Sequence, residues 1–182
     1  LNNIHKKIKV KNLNEFRLKI FNNVNMNEKF KMSYYNLSKE FLDQIVGNEL
    51  VMQSRINLSI QLPDDSSSLL PIHADTWSGV SPFEVVVWLP LVDCYQTKTM
   101  YFLKKKNVSK INKILLNKKI STDKIFNKIK KDVEWLELKY GQVLIFDQSI
   151  PHGNVVNKEA ETRWSMNCRF KGIFTPYNDK KL

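Results

Sequence analysis

The sequence holds only three histidines, two cysteines and five glycines among its 182 residues, and no apolar run of membrane length. The longest such run, residues 85–92, falls well short of the roughly eighteen residues that a membrane helix needs, and Pro90 interrupts it. No transmembrane helix is expected, and a cytoplasmic protein is the default reading. Cys94 and Cys168 lie far apart with no CxxC pair, which excludes paired-cysteine zinc and redox motifs. Both are expected as buried free thiols in a reducing compartment. The opening stretch, LNNIHKKIKVKN, is basic but has no apolar segment of signal-peptide length behind it, and it lacks an initiator Met, which leaves room for residues upstream.

What is present is a chain with 42% hydrophobic residues and 11% aromatics, enough for one domain with a real core and short for two. A single domain over residues 1–182 is therefore expected. The net charge of +11 raises nucleic acid as a partner. Two features temper that. Lysine greatly outnumbers arginine beside abundant Asn and Ile, as a nucleotide-composition bias would produce. Much of the lysine also sits in one block, residues 104–131, where Ile111, Ile114, Leu115, Ile125 and Ile129 recur at helical spacing. The block reads as one or two short amphipathic helices with a solvated lysine face.

The pattern along the chain predicts two helices, then strands. Leu37, Phe41, Leu42, Ile45 and Val46 fall on one helical face, with Gly47 as the stop, so residues 1–53 read as N-terminal helices packed outside a sheet. From residue 55 the sequence alternates: Ile56, Leu58, Ile60 and Leu62 on one side, Arg55, Asn57, Ser59 and Gln61 on the other. Further strands are predicted at 83–89, 99–103, 133–138, 142–147 and 163–170, with Tyr140 and Gly141 as a turn. Residues 63–70 are polar enough to form a mobile loop. Short strands with one helical insert suggest an antiparallel sandwich or barrel with helices on its outside.

Within this frame, PIHADTWSG places His73 two residues before Asp75, and on an extended segment both side chains point the same way. His152 follows an apolar strand in a Pro-His-Gly-Asn turn, where Gly153 permits close backbone approach. In RWSMNCRF, Arg163, Ser165, Asn167 and Arg169 share one face and Trp164, Met166, Cys168 and Phe170 the other. Taken singly, each has a bland reading: two polar neighbours, a core histidine, a strand with solvated arginines.

Taken together, the order His73-x-Asp75, His152, Arg163-x-Ser165 resembles the iron(II)/2-oxoglutarate-dependent oxygenases over residues 54–171. The phrases LPIHADTWSG, PFEVVVWLPL and IPHGN resemble the phytanoyl-CoA-hydroxylase-like members of carbohydrate-biosynthesis and aminoglycoside clusters. The resemblance implies a mainly β fold, a double-stranded β-helix (jelly roll, cupin-like) with flanking α-helices, its core at 54–171 carrying the insert 104–131. It also implies iron(II) held by His73, Asp75 and His152, with 2-oxoglutarate and dioxygen as cosubstrates. Two imidazoles and one carboxylate on one face of an octahedral ion leave three adjacent positions open. A guanidinium suits the far carboxylate of the cosubstrate, which makes Arg163 the first choice, with the Ser165 hydroxyl as a second donor.

Arg169 is a further candidate, since its spacing from Arg163 also matches the Arg-x5-Arg of the nucleic-acid-dealkylating branch. Asn57 and Gln61 are candidate cavity-lining residues. Trp77 could wall the pocket, Asp147, Glu84 and Asn154 could orient a histidine, and His5 reads as a bystander in a mobile segment. The expected substrate is a small polar metabolite such as a sugar or aminocyclitol derivative, with nucleic acid and membrane not expected as partners and oligomeric state open. The alternatives are a nucleic-acid dealkylating oxygenase of the same superfamily and a non-catalytic β-barrel binding module.

Overall fold

In the computed structural model, which describes residues 1–109, 111 and 122–177, helices α1 (Val10–Asn25), α2 (Glu28–Asn36) and α3 (Lys39–Ile45) come first. They precede strands β1 (Leu50–Met52), β2 (Asn57–Gln61), β3 (Val85–Pro90) and β4 (Tyr101–Leu103). Helix α4 (Thr122–Ile129) and strands β5 (Val133–Trp135), β6 (Leu144–Asp147), β7 (His152–Gly153) and β8 (Arg163–Gly172) follow.

Strand β8 organises the larger of two antiparallel sheets. Along one edge it pairs with β3, beyond which lies β6; its other edge is shared by β2, opposite residues 163–167, and β1, opposite 170–172. The smaller sheet runs β5-β4-β7 and is extended by a single bridge between His73 and His152.

The period-two alternation of β8 decides what each face does. Its even-numbered residues, Trp164, Met166, Cys168 and Phe170, are buried against the N-terminal helices through Leu13, Tyr34 and Leu42. Phe16 meets Trp164 edge-on at 6.0 Å, and the Tyr34 hydroxyl donates to the Val87 carbonyl at 2.9 Å, which pins α2 to β3. Its odd-numbered residues face the interior between the sheets. On the smaller sheet, Tyr101 and Leu103 pack with Ile111, Ile125, Ile129 and Val133, so α4 covers the outer face. Phe102 points the other way, toward Phe146 at 5.0 Å and His152 at 6.2 Å.

Several expectations change. The region 1–53 contains three α-helices rather than two, and β1 as well. Of the predicted face only Leu42 is fully buried, while Leu37, Phe41 and Ile45 are exposed. The cause is a break at Ser38: Leu37 caps α2, so the predicted face spans two helices, and Phe41 and Ile45 form a separate row one position round from Leu42. Gly47 does end the segment, at φ +99°, and Gly141 makes the predicted turn at φ +92°. His5 is docked rather than mobile: its Nδ1 lies 3.0 Å from the Thr162 hydroxyl. The loop 63–70 is likewise tied down, because the Asp64 amide donates to the Asn157 carbonyl at 2.8 Å and the Leu70 amide to the Asn154 side-chain oxygen at 2.6 Å. Lys124 and Lys128 are exposed on α4, as expected of a solvated face, whereas Ile114 and Leu115 lie outside the described residues. Both cysteines are buried and free.

Candidate functional site

Each histidine is oriented by its own backbone. His73 and His152 exchange both main-chain hydrogen bonds at 2.8 Å, which sets their ring centroids 4.4 Å apart. The Nδ1 of His73 lies 2.8 Å from the Pro71 carbonyl, and that of His152 lies 2.9 Å from the Ile150 carbonyl. A carbonyl only accepts, so both Nδ1 atoms donate, and in a neutral imidazole that leaves the lone pair, and with it any metal binding, to Nε2. Burial, then the neighbouring His73, pushes the His152 pKa down to about 4, which keeps that ring neutral at physiological pH.

Asp75 opens a short 3-10 turn, Asp75–Ser78, after an extended Ala74. Its Oδ1 stands 3.9 Å from the His73 Nε2, while its Oδ2 accepts from Arg169 at 3.0 Å. Cis donors at the ~2.1 Å bonds typical of first-row ions would stand ~3 Å apart. The set is thus slightly open, and among the described residues no three acidic, histidine or cysteine side chains are closed into a ready metal cage. The donor chemistry itself fits such an ion: two imidazoles whose Nδ1 atoms are committed to carbonyls and one carboxylate, all lining one cavity.

These three side chains share a cavity of about 370 Å³ with Arg163, Ser165, Asn57 and Arg169, and its walls include Val86, Trp88 and Phe146. Arg163 is 4% exposed and donates to the Thr99 carbonyl at 3.1 Å and the Ser59 hydroxyl at 3.0 Å. Its Nε has no partner, and no carboxylate among the described residues pairs with it. Desolvation lowers its pKa to about 10, still well above neutrality. A buried guanidinium that lines a cavity and lacks a carboxylate partner has the chemistry to take an anion.

Arg169 is occupied differently. Besides Asp75, it donates from Nε to the Gln148 side-chain oxygen at 3.1 Å and from Nη1 to that of Gln53 at 3.3 Å. Asn57 donates to Asn167 across the strands at 2.9 Å, on the cavity wall. Gln61 is a correction: it is fully buried outside the cavity, where its Nε2 donates to the Val155 carbonyl at 2.7 Å. So is Trp77, which is 43% exposed and not part of the wall. Asn154 holds the loop instead of a histidine, accepting from the Leu70 amide at 2.6 Å, and Asp147 caps the Ser149 amide at 2.7 Å. Glu84 bonds Gln148 at 3.3 Å and so reaches the site only through it.

Gln148, Gln53 and Ser59 carry this geometry and were not picked out from the sequence. For Ser59 the signal was there, since it lies on the polar face of β2; a lone glutamine has none. A larger cavity, about 490 Å³, lies beyond Arg169 and is lined by Gln53, Glu84, Lys171 and Tyr177, but it contains neither histidine. The chemistry belongs with the donors, in the smaller cavity.

No family model matches the chain, and no curated protein matches it in sequence. Solved structures do. The chain is similar to the non-heme monooxygenase ThoJ in its nickel complex, at 17% identity and a TM-score of 0.53, over 73% of this chain and 49% of that one. It is similar to HygX from Streptomyces hygroscopicus with nickel and 2-oxoglutarate bound, at 9% identity and a TM-score of 0.62, over 93% and 81%. HygX with nickel, 2-oxoglutarate and hygromycin B bound matches at 11% identity and a TM-score of 0.53, over 87% and 67%. The chain therefore spans about half the length of ThoJ and shares its fold with these proteins.

Proposed function

We propose that this chain is an iron(II)- and 2-oxoglutarate-dependent oxygenase acting on a small polar metabolite, with a sugar or aminocyclitol derivative as the substrate class. The two sheets correspond, in this reading, to the halves of a double-stranded β-helix. The observation that carries the proposal is the cavity in which His73, Asp75 and His152 meet a buried Arg163 that has no carboxylate partner. The histidine Nε2 atoms and Asp75 Oδ1 would hold the metal. Bound iron with its cosubstrate supplies the oxidising power for attack on a C–H bond.

The residues of the chain then position and shield. Arg163, which lines the cavity and has no carboxylate partner, takes the far carboxylate of 2-oxoglutarate, with the Ser165 hydroxyl beside it on the same face of β8. Phe146 and Phe102, edge-on to the His152 ring at 5.3 and 6.2 Å, exclude water from one side of that imidazole. Asn57 and Asn167 offer amide groups to polar substituents of the substrate.

Helix α4 packs through Ile125 and Ile129 on the outer face of the small sheet, opposite the cavity. Lys124 and Lys128, exposed on that helix, are therefore remote from the proposed chemistry, which supports a metabolite over nucleic acid. Succinate production at near-physiological salt, with sugar derivatives and aminocyclitols set against methylated oligonucleotides, tests the reading. Stimulation by a sugar derivative with a product one oxygen heavier is expected. Stimulation by an oligonucleotide with loss of its methyl group overturns the metabolite reading, and no metal-dependent turnover of 2-oxoglutarate at all overturns the oxygenase.

A further inference from the structure

The structure assigns Arg169 as a positioning residue that, braced by Gln148 and Gln53, holds Asp75 so that one carboxylate oxygen alone faces the metal position. This rests on the oxygenase reading above and deepens it. All three nitrogens of the Arg169 guanidinium are in use: Nη2 to Asp75 Oδ2 at 3.0 Å, Nε to Gln148 Oε1 at 3.1 Å and Nη1 to Gln53 Oε1 at 3.3 Å. A planar fork held at three points cannot rotate away from the carboxylate it pairs with.

Gln148 is itself fixed. It is fully buried, and its amide nitrogen donates to the Ser81 carbonyl and to Glu84. Its main-chain carbonyl accepts the Asp75 amide at 3.1 Å. One residue thereby sets Asp75 twice, directly through its backbone and indirectly through Arg169.

The geometric result is a carboxylate with its two oxygens in different roles: Oδ2 belongs to Arg169, and Oδ1 faces His73 Nε2 at 3.9 Å. A carboxylate free to swing could bind a cation through both oxygens and take a fourth position in an octahedral shell. With Oδ2 engaged it takes one, so that two imidazoles and one oxygen leave three positions for the cosubstrate and dioxygen. The same commitment removes Arg169 from competition with Arg163 as cosubstrate anchor.

The test uses cobalt(II) as the probe, with affinity measured by chelator competition and coordination followed by the visible absorption band. Arg169→Ala is expected to weaken cobalt binding by about ten- to a hundredfold and to change the band, as loss of a partner that orients a ligand does. Arg169→Lys, which can still donate to Oδ2, should restore the band toward wild type. A folded Arg169→Ala protein with unchanged affinity and band overturns the assignment. Should that variant not fold, Gln148→Ala decides it: a several-fold loss with an altered band supports the assignment, and an unchanged pair of readings overturns it. A wild-type protein that binds no cobalt defeats the metal site itself, a separate outcome.

Discussion

His73 and His152 form one directly opposed backbone pair, amide to carbonyl at 2.8 Å in both directions, although 78 positions separate them (152 − 73 = 79, less one). This pair joins β7 to the segment carrying the His-x-Asp motif, so the distance between the imidazoles is a property of sheet register rather than of either side chain.

Gly153 protects that register. A Cβ at this position would meet the Tyr101 hydroxyl at 2.7 Å and the backbone at Ile72 N and Leu70 O at 3.0 Å, and the backbone atoms cannot give way cheaply. Gly153→Ala is expected to destabilise the protein by about 1–3 kcal/mol and to weaken cobalt binding at the adjacent His152. Chemical denaturation and metal titration measure the two effects, and full retention of both would show that the strands can separate at no cost.

Arg163 should stabilise nothing until an anion arrives. Its folded pKa of about 10 lies below the ordinary value of 12.5, so the unfolded chain holds more protons between those values. Folded stability from this group accordingly rises with pH through that window, and the penalty for burying the charge, on the order of 3 kcal/mol, is fully present below pH 10. Arg163→Met should leave the melting temperature unchanged or raise it by a few degrees, as apolar replacement of buried charge often does. The same variant should bind 2-oxoglutarate about a hundredfold or more weakly, from a loss of roughly 2–5 kcal/mol. Thermal melts with and without the cosubstrate read both, and a wild-type-like shift on adding 2-oxoglutarate to the variant would move the anchor elsewhere.

The two thiols are expected to be inert. Desolvation pushes Cys94 up to about 11 and Cys168 up to about 12, and both are buried. A chromogenic disulfide reagent at pH 8 should label neither in the folded protein and both in denaturant. Rapid labelling of the native state would mean that the helical cover over β8 opens readily.

Helix α3 offers an internal control for packing. Leu42 is fully buried beside Tyr34 and Phe170, so Leu42→Ala should cost about 2–5 kcal/mol. Phe41, one residue earlier and 61% exposed, should tolerate alanine within about 0.5 kcal/mol. Equal losses in urea denaturation would contradict the placement of this helix.

Local pattern carried a good part of this molecule. The alternation in β2 and β8 correctly separated an apolar face from a polar one, because side chains on an extended strand alternate whatever the strand pairs with. Gly47 and Gly141 marked real stops, since both need the left-handed conformation that glycine adopts without strain. His73, Asp75, His152, Arg163, Ser165 and Arg169 were nominated by the family resemblance of their order and Asn57 by strand parity, and one cavity gathers them.

Tertiary structure alone decided the rest. What engages Arg169 depends on Gln148 and Gln53, residues 95 apart in sequence (148 − 53 = 95) that both accept from its guanidinium only because β8 and its neighbours bring them to it. Gln61 has the strand parity of Asn57 yet lies outside the cavity, on the Val155 carbonyl, because parity chooses a face and not a depth along it. The faces of the N-terminal helices were misjudged for a related reason: a helical period shows which residues align, while a break such as that at Ser38 resets the alignment and only the sheet beneath determines which row is buried.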